Sequence, residues 1–177
     1  AHVYDRFGLL DTDCIMAHCV HSREAELALL KERGVFIAHS PESNSNLASG
    51  VAPVRRFLEQ GLRVGLASDV AGGSSLNLFR AMAHAIQASK LRWQLLDQSL
   101  PPLTFDQVFW MATLGGGSFF GPVGTFAQGY AFDALVLDDR RYPTVLPLSI
   151  QQRVERLAYL AERSEEHTSE LQSHTSI

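Results

Sequence analysis

The sequence predicts an α/β fold built on a parallel sheet, and three observations carry that expectation. Cys14-Ile15-Met16-Ala17-His18, Val35-Phe36-Ile37-Ala38-His39 and the stretch from Leu62 to Asp69 are short apolar runs, each ending in a polar group. Runs of this length and composition suit strands covered on both faces. Helical patterns lie between them, and strands alternating with helices imply parallel pairing through right-handed crossovers. His18, His39 and Asp69 should therefore emerge together at the carboxyl ends of neighbouring strands, where α/β barrels keep their chemistry.

Taken in order, Asp5 to Asp13 reads as a loop, with Gly8 and Asp11-Thr12-Asp13 as turn-formers. Ser22 to Arg33 reads as a helix with Leu27, Ala28 and Leu30 on one face and Gly34 as its stop. Ser40 to Gly50 is polar and reads as a loop. Pro53 to Gln60 carries Val54, Phe57 and Leu58 at helical spacing and closes at Gly61. The third strand, Leu62, Val64, Leu66 and Ala67, runs to Asp69; Gly72 and Gly73 follow, where only glycine permits very close backbone approach. Leu76 to Trp93 is a long amphipathic pattern with Leu78, Met82, Ala85, Ile86 and Leu91 inward, and His84 within it reads as structural or exposed. After a Pro-Pro connector, Thr104 and Gln107 form a capping box for another helix. Gly115-Gly116-Gly117 matches no phosphate-binding motif and reads as a tight turn between helices. Phe132 to Asp138 returns to a strand pattern, and Pro147 to Glu162 is a last helix with Ile150, Val154, Leu157, Ala158 and Ala161 on one face.

Composition excludes several classes. The chain has 177 residues, 46% hydrophobic and 19% charged, with a formal net charge of -4, which is an ordinary globular balance. It has no basic stripe to bind nucleic acid and no apolar stretch near the ~20 residues of a membrane span, so neither is expected as a partner. Cys14 and Cys19 form no spaced motif, which excludes a disulfide framework and suits a reducing cytoplasm. Each strand-end group has a plainer reading taken singly. Asp69 makes a good helix N-cap, Arg55 and Arg56 read as solvated helix charges, and a buried histidine is more often a core group than a ligand. The joint placement of His18, His39 and Asp69 favours a site.

The pieces MAHCVH (16–21), KERGVFIAHSPESNSNLASG (31–50), APVRRFLEQGL (52–62), GLASDVAGG (65–73), FRAMAHAIQASKLRW (79–93) and LTFDQVFWMATLGGGSFFG (103–121) carry a resemblance. In them the sequence resembles the metal-dependent amidohydrolase superfamily, and within it the guanine deaminases, from His2 to about Glu162. S-D-V-A-G-G is the specific part, where T-D-V-A-G-G is more usual. A-H-S-P-x-S-N is shared with sister deaminases. The resemblance implies an α/β chain forming the second half of a metal-dependent hydrolase (β/α)8 (TIM) barrel over 1–121, part of a small β domain over 122–146 and a C-terminal helix over 147–162. A complete barrel needs roughly 250 residues, so a carboxyl-terminal portion of a longer enzyme is expected. The polar run Arg163 to Ile177, with His167 and His174, reads as a non-native tail.

The same resemblance implies zinc, one per subunit of the full-length protein, with His18 and Asp69 as metal ligands and Asp69 also the catalytic group. It places His39, Ser43 and Asn44 on the substrate side and leaves His21 to cap or pack. The implied partner is a small purine, and the full-length enzyme is implied to be a cytoplasmic homodimer. The family's H-x-H pair, and a further histidine with its nearby glutamate, have no match in this sequence. The portion alone is therefore expected to be inactive. Another amidohydrolase, of the adenosine-derivative or triazine type, and a non-catalytic scaffold remain alternative readings; the cytidine-deaminase signature H-x-E with P-C-x-x-C is absent.

Overall fold

Three short strands, β1 (Ile15–Ala17), β2 (Phe36–His39) and β3 (Arg63–Leu66), pair in parallel in the order β1-β2-β3. The structure, a computed structural model, describes residues 1–160; the run from Arg163 to Ile177, with His167 and His174, lies outside the described residues. Ala17 stands opposite Ala38, and His39 opposite Leu66, so the strands finish nearly level. The ladder continues one residue further on each side: the His18 N–H donates to the Ala38 carbonyl at 2.9 Å, and the Ala67 N–H to the His39 carbonyl at 2.9 Å. Chains leaving β1 and β3 thus depart beside the end of β2.

The helices follow the sequence pattern with informative exceptions. A short helix, α1 (His2–Arg6), begins the chain, overlapping the expected loop. Asp5 is held by Arg33 at 2.7 Å and the Ala1 amino group by Glu26 at 2.7 Å, and the loop starts only at Gly8, with φ 69°. Helix α2 (Glu24–Glu32) stops at Gly34, in the left-handed region at φ 65°. The expected loop after β2 is instead largely a helix, α3 (Pro41–Asn46). Pro41 stands in its first turn, where a missing N–H costs nothing, and the Ser45 hydroxyl donates back to the Pro41 carbonyl at 3.0 Å. Helix α4 (Val54–Glu59) is tied down by Arg56, which reaches Glu24 and Asp97, each at 3.0 Å.

Asn77 caps α5 (Leu78–Leu95) by accepting from the Phe79 N–H at 2.9 Å. Its buried face is Ala81, Met82, Ala83, Ala85 and Ile86, while Leu78 and Leu91, expected inward, are exposed. Both halves of the Thr104–Gln107 capping box form at the start of α6 (Phe105–Ala112). The three glycines are not a turn: with Leu114 they form α7 (Leu114–Gly117). A Cβ on Gly65 of β3 would lie 2.9 Å from the Gly116 Cα, and one on Gly116 would lie 2.8 Å from the Met111 carbonyl oxygen. The missing side chain of Gly65 lets α7 lie directly on the strand, and that of Gly116 lets it pack against the end of α6. Helix α8 (Ile150–Leu160) buries Leu157 and Ala158 and packs on α5, but Ile150 is exposed.

One core joins these elements. Leu27 and Leu30 of α2, Ile37 and Val64 of the sheet, Phe57 of α4, Met82 and Ile86 of α5, and Val108 and Met111 of α6 are all buried in one cluster. Burying each such side chain contributes ~1.5–3 kcal/mol. The strand expected over Phe132 to Asp138 is not formed; that segment carries no regular structure, and Phe132, Leu135 and Val136 are exposed. A strand exists only when a neighbouring backbone takes its N–H and C=O groups, and among the described residues no strand lies beside this one. Also among the described residues, no helix is long and apolar enough to cross a membrane.

Candidate active site

The chain leaves β1 sharply because His18 and Cys19 both adopt left-handed backbone, at φ 68° and 49°. His18 is then anchored from α3: its Nδ1 lies 2.8 Å from Asn44 Oδ1. An amide oxygen can only accept, so Nδ1 carries a hydrogen, and in the neutral ring the lone pair is on Nε2. That Nε2 stands 3.6 Å from Asp69 Oδ2. Both side chains are open to solvent at the mouth, His18 by 37% and Asp69 by 40%.

Asp69 is reached by an equally tight path beyond β3. It too has positive φ, 49°, and the Gly73 N–H donates to its carbonyl at 2.6 Å, closing the turn. The Ser43 hydroxyl donates to Asp69 Oδ2 at 2.5 Å, a length typical of a hydrogen bond to a charged carboxylate. The glycines of S-D-V-A-G-G are required by crowding here. A Cβ on Gly72 would sit 2.5 Å from Ser43 Oγ and 3.1 Å from Asp69 Oδ2; one on Gly73 would sit 2.0 Å from the Ser68 carbonyl oxygen. No other residue could occupy Gly73 without moving the backbone.

Helix α3 is thus the piece that assembles the site, and reading it as a loop hid that role. The expectation placed Ser43 and Asn44 toward substrate. Both are buried, and their polar atoms hold Asp69 and His18 respectively. Asn46, which the sequence reading left without a role, donates from Nδ2 to the Gly72 carbonyl at 2.8 Å. Residues 42, 43 and 46 share one helical face by spacing, so the signal was available once Pro41 was taken as a helix start. His39 is only 2% exposed and lies beneath the mouth. Burial, with the nearby His18 adding to it, pushes its pKa down to about 4, so the ring is neutral at pH 7. His84 lies away from the mouth, 3.9 Å from Glu42, and His21 is exposed.

The pair His18–Asp69 fits part of a metal shell. Two donors on one tetrahedral zinc, at ~2.0–2.2 Å each, stand roughly 3.4 Å apart, close to the 3.6 Å observed. A histidine whose other ring nitrogen is anchored is the usual arrangement of a metal ligand. Among the described residues, however, no third His, Cys, Asp or Glu joins them. A catalytic zinc takes three protein ligands, so these two are a partial set.

Comparison with known proteins places this geometry in context. The model of the amidohydrolase family matches residues 1–168. The crystal structure of a guanine deaminase from C. acetobutylicum, with guanine bound in its active site, superposes with a TM-score of 0.84 at 46% identity, over 90% of this chain and 38% of that one. A probable guanine deaminase of Schizosaccharomyces pombe is 39% identical over 141 residues, covering 78% of this chain and 27% of its own length. A 5-methylthioadenosine/S-adenosylhomocysteine deaminase of Syntrophobacter fumaroxidans is 37% identical over 169 residues, 93% of this chain and 37% of its own. The chain spans about a third of the length of these relatives.

Proposed function

The chain belongs to the amidohydrolase family, and from that premise we propose that it is a carboxyl-terminal portion of a zinc-dependent guanine deaminase, which hydrolyses guanine to xanthine and ammonia when complete. Residues 1–121 are its share of the barrel and 122–146 its share of a small β domain. The observation that carries the reading is the convergence of His18 Nε2 and Asp69 Oδ2 at 3.6 Å, each fixed by its own partner on α3. Guanine is preferred because S-D-V-A-G-G is the turn that holds Asp69, and because the 46% identical structure has guanine in its active site. The two free thiols, Cys14 and Cys19, suit a cytoplasmic enzyme.

Zinc held by His18, Asp69 and ligands from outside this chain would lower the pKa of a bound water from 15.7 to about 7, supplying the nucleophile at neutral pH. Asp69 takes the proton of the attacking water. Ser43 fixes Oδ2, which leaves Oδ1 as the oxygen free to receive it. Asn44 keeps His18 in the tautomer whose Nε2 faces the reacting centre. Neutral, buried His39 adds no positive charge beneath that centre. The proton for the departing amine comes from a group outside this chain.

The match to the methylthioadenosine/S-adenosylhomocysteine deaminase covers more of the chain than the S. pombe relative does, which favours an adenosine-derivative substrate as the second reading. One experiment decides between them. The chain, joined to its amino-terminal part, is given guanine, adenine, 5-methylthioadenosine and S-adenosylhomocysteine, with ammonia release followed. Guanine turnover with one zinc per subunit supports the proposal. Turnover confined to the adenosine derivatives would transfer it to the second reading, and no turnover of any of them would leave the scaffold.

A further inference from the structure

The segment from Asp69 to Ser74 holds its shape with few backbone bonds of its own. The Gly73 N–H to Asp69 carbonyl bond, beside an isolated bridge between Val70 and Gly73, closes the turn. Left-handed backbone at an aspartate costs on the order of 1–3 kcal/mol and persists only where the surroundings over-determine it. Here the surroundings are one face of α3. Ser43 grips the segment at Asp69, Asn46 at the Gly72 carbonyl and Glu42 at its far end, where the Ser74 hydroxyl donates to Glu42 Oε1 at 2.5 Å. Glu42 is itself braced from α5: Arg80 reaches the same oxygen at 3.1 Å, and His84 Nδ1 lies 3.9 Å from the other.

We propose that Glu42 is a positioning residue for Asp69: by clamping Ser74 to α3 and α5, it fixes the far end of the turn whose near end carries the catalytic carboxylate. Glu42 touches neither His18 nor Asp69, and it stands one residue from Ser43, so any shift at the Ser74 clamp is levered along a six-residue segment. Its side chain is only 12% exposed, and a carboxylate that deeply set is kept charged by what surrounds it. Burial acts against the charge, but the bonds from Ser74 and the charges of Arg80 and His84 outweigh it, leaving its pKa below the ordinary glutamate value. A charged acceptor holds a hydroxyl more strongly than a neutral amide does, so replacing Glu42 by glutamine keeps the shape and weakens the clamp.

The inference rests on the deaminase reading and is tested as a ratio to the wild type, on whichever purine the complete enzyme accepts. A wrong substrate assignment then shows in the wild type and a wrong clamp in the variants. In the complete enzyme, Glu42→Gln should lower kcat about tenfold, as a small misplacement of a catalytic group does, with KM changed less than twofold and zinc content unchanged. Ser74→Ala should give the same loss, and the double variant should be no worse than either single one, because both break one clamp. Hydrogen exchange at the Gly73 amide should quicken in both variants, while core amides such as Val64 stay as protected as before. Should Glu42→Gln fail to fold, Ser74→Ala, which leaves the carboxylate and its ion pair intact, carries the test alone. Wild-type kcat in Ser74→Ala, or losses that multiply in the double variant, would overturn the proposal.

Discussion

Residues 14–69 and residues 122–149 make an instructive pair, since both hold apolar runs punctuated by glycine and proline. In the first, Ile37, Val64 and Phe57 are buried, and the backbone of every strand has a neighbour. In the second, Phe126, Phe132, Leu135, Val136 and Leu146 are exposed and no regular structure forms. Both runs have strand-forming side chains, so propensity does not distinguish them. What differs is company: β2 has β1 and β3 in register, whereas Phe132 to Asp138 has no strand alongside among the described residues. Apolar alternation is a request for a partner, and only the first region meets one.

If the first region exists to hold a site, its most sensitive point is the carboxylate at its end. In the complete enzyme, Asp69→Asn should reduce kcat about 10³-fold or more, since an amide cannot take the proton of water and is a poorer metal ligand. The urea midpoint should barely move, because Ser43 can still donate to the amide oxygen. Guanine turnover at the wild-type rate would defeat the catalytic role. The next largest effect should lie beneath the sheet. Phe57, the wholly buried residue of α4, should cost about 3–5 kcal/mol when cut to alanine, read from urea unfolding of the same protein.

His39 gives the same region a pH signature. Its pKa in the fold is about 4, against an ordinary value of 6.5, so between those values the unfolded chain binds the proton that the folded chain refuses. Stability should therefore be full above about pH 6.5 and fall as the pH drops toward 4, by about 3 kcal/mol in all. Urea unfolding across this range checks it, with His39→Gln as control. A wild-type slope no steeper than that of His39→Gln would show that the buried ring does not titrate as its surroundings require.

How much of this was legible in the sequence follows the same division. The parallel sheet and the meeting of His18 with Asp69 were readable, because local pattern sets strand order and parallel strands put their ends on one side. The role of α3 was not. P-E-S-N-S-N has loop composition, and its helix is stabilised by what it touches: Asp69, the Gly72 carbonyl, Ser74 and His18. The glycines at 115–117 misled for a related reason. Glycine usually ends helices, but here it leaves room around α7 for Trp110, the Met111 carbonyl and Val123, a packing that no local window reveals. His39 does stand level with His18 at the end of its strand, as the alternation of strand and helix implies, but its side chain is buried, and burial depends on packing from other elements that a strand-end position does not reveal.

The smallest expected effect tests the contrast from its other side. Val136 is 85% exposed and stands in a segment without regular structure. Replacing it by serine removes an apolar side chain already in water, so stability should change by no more than about 0.5 kcal/mol. Beside it, Arg140 grips Asp138 through Nε and Nη2 and holds that carboxyl down to about 2, yet both groups are exposed, so this pair also should leave the urea midpoint where it is. Of these two regions, limited proteolysis should cut 122–149 before the stretch from β1 to β3, because cleavage needs extended, unpaired backbone, which runs throughout the second region and occurs only in short connections such as 47–53 in the first. The measurement also bears on the proposed small β domain. If Val136→Ser destabilises the complete enzyme by 2 kcal/mol or more while the chain alone is indifferent, Phe132 to Asp138 has found its missing strand partner in the rest of the protein. If it is neutral in both, the segment stays without one, and residues 122–146 are no part of a β domain.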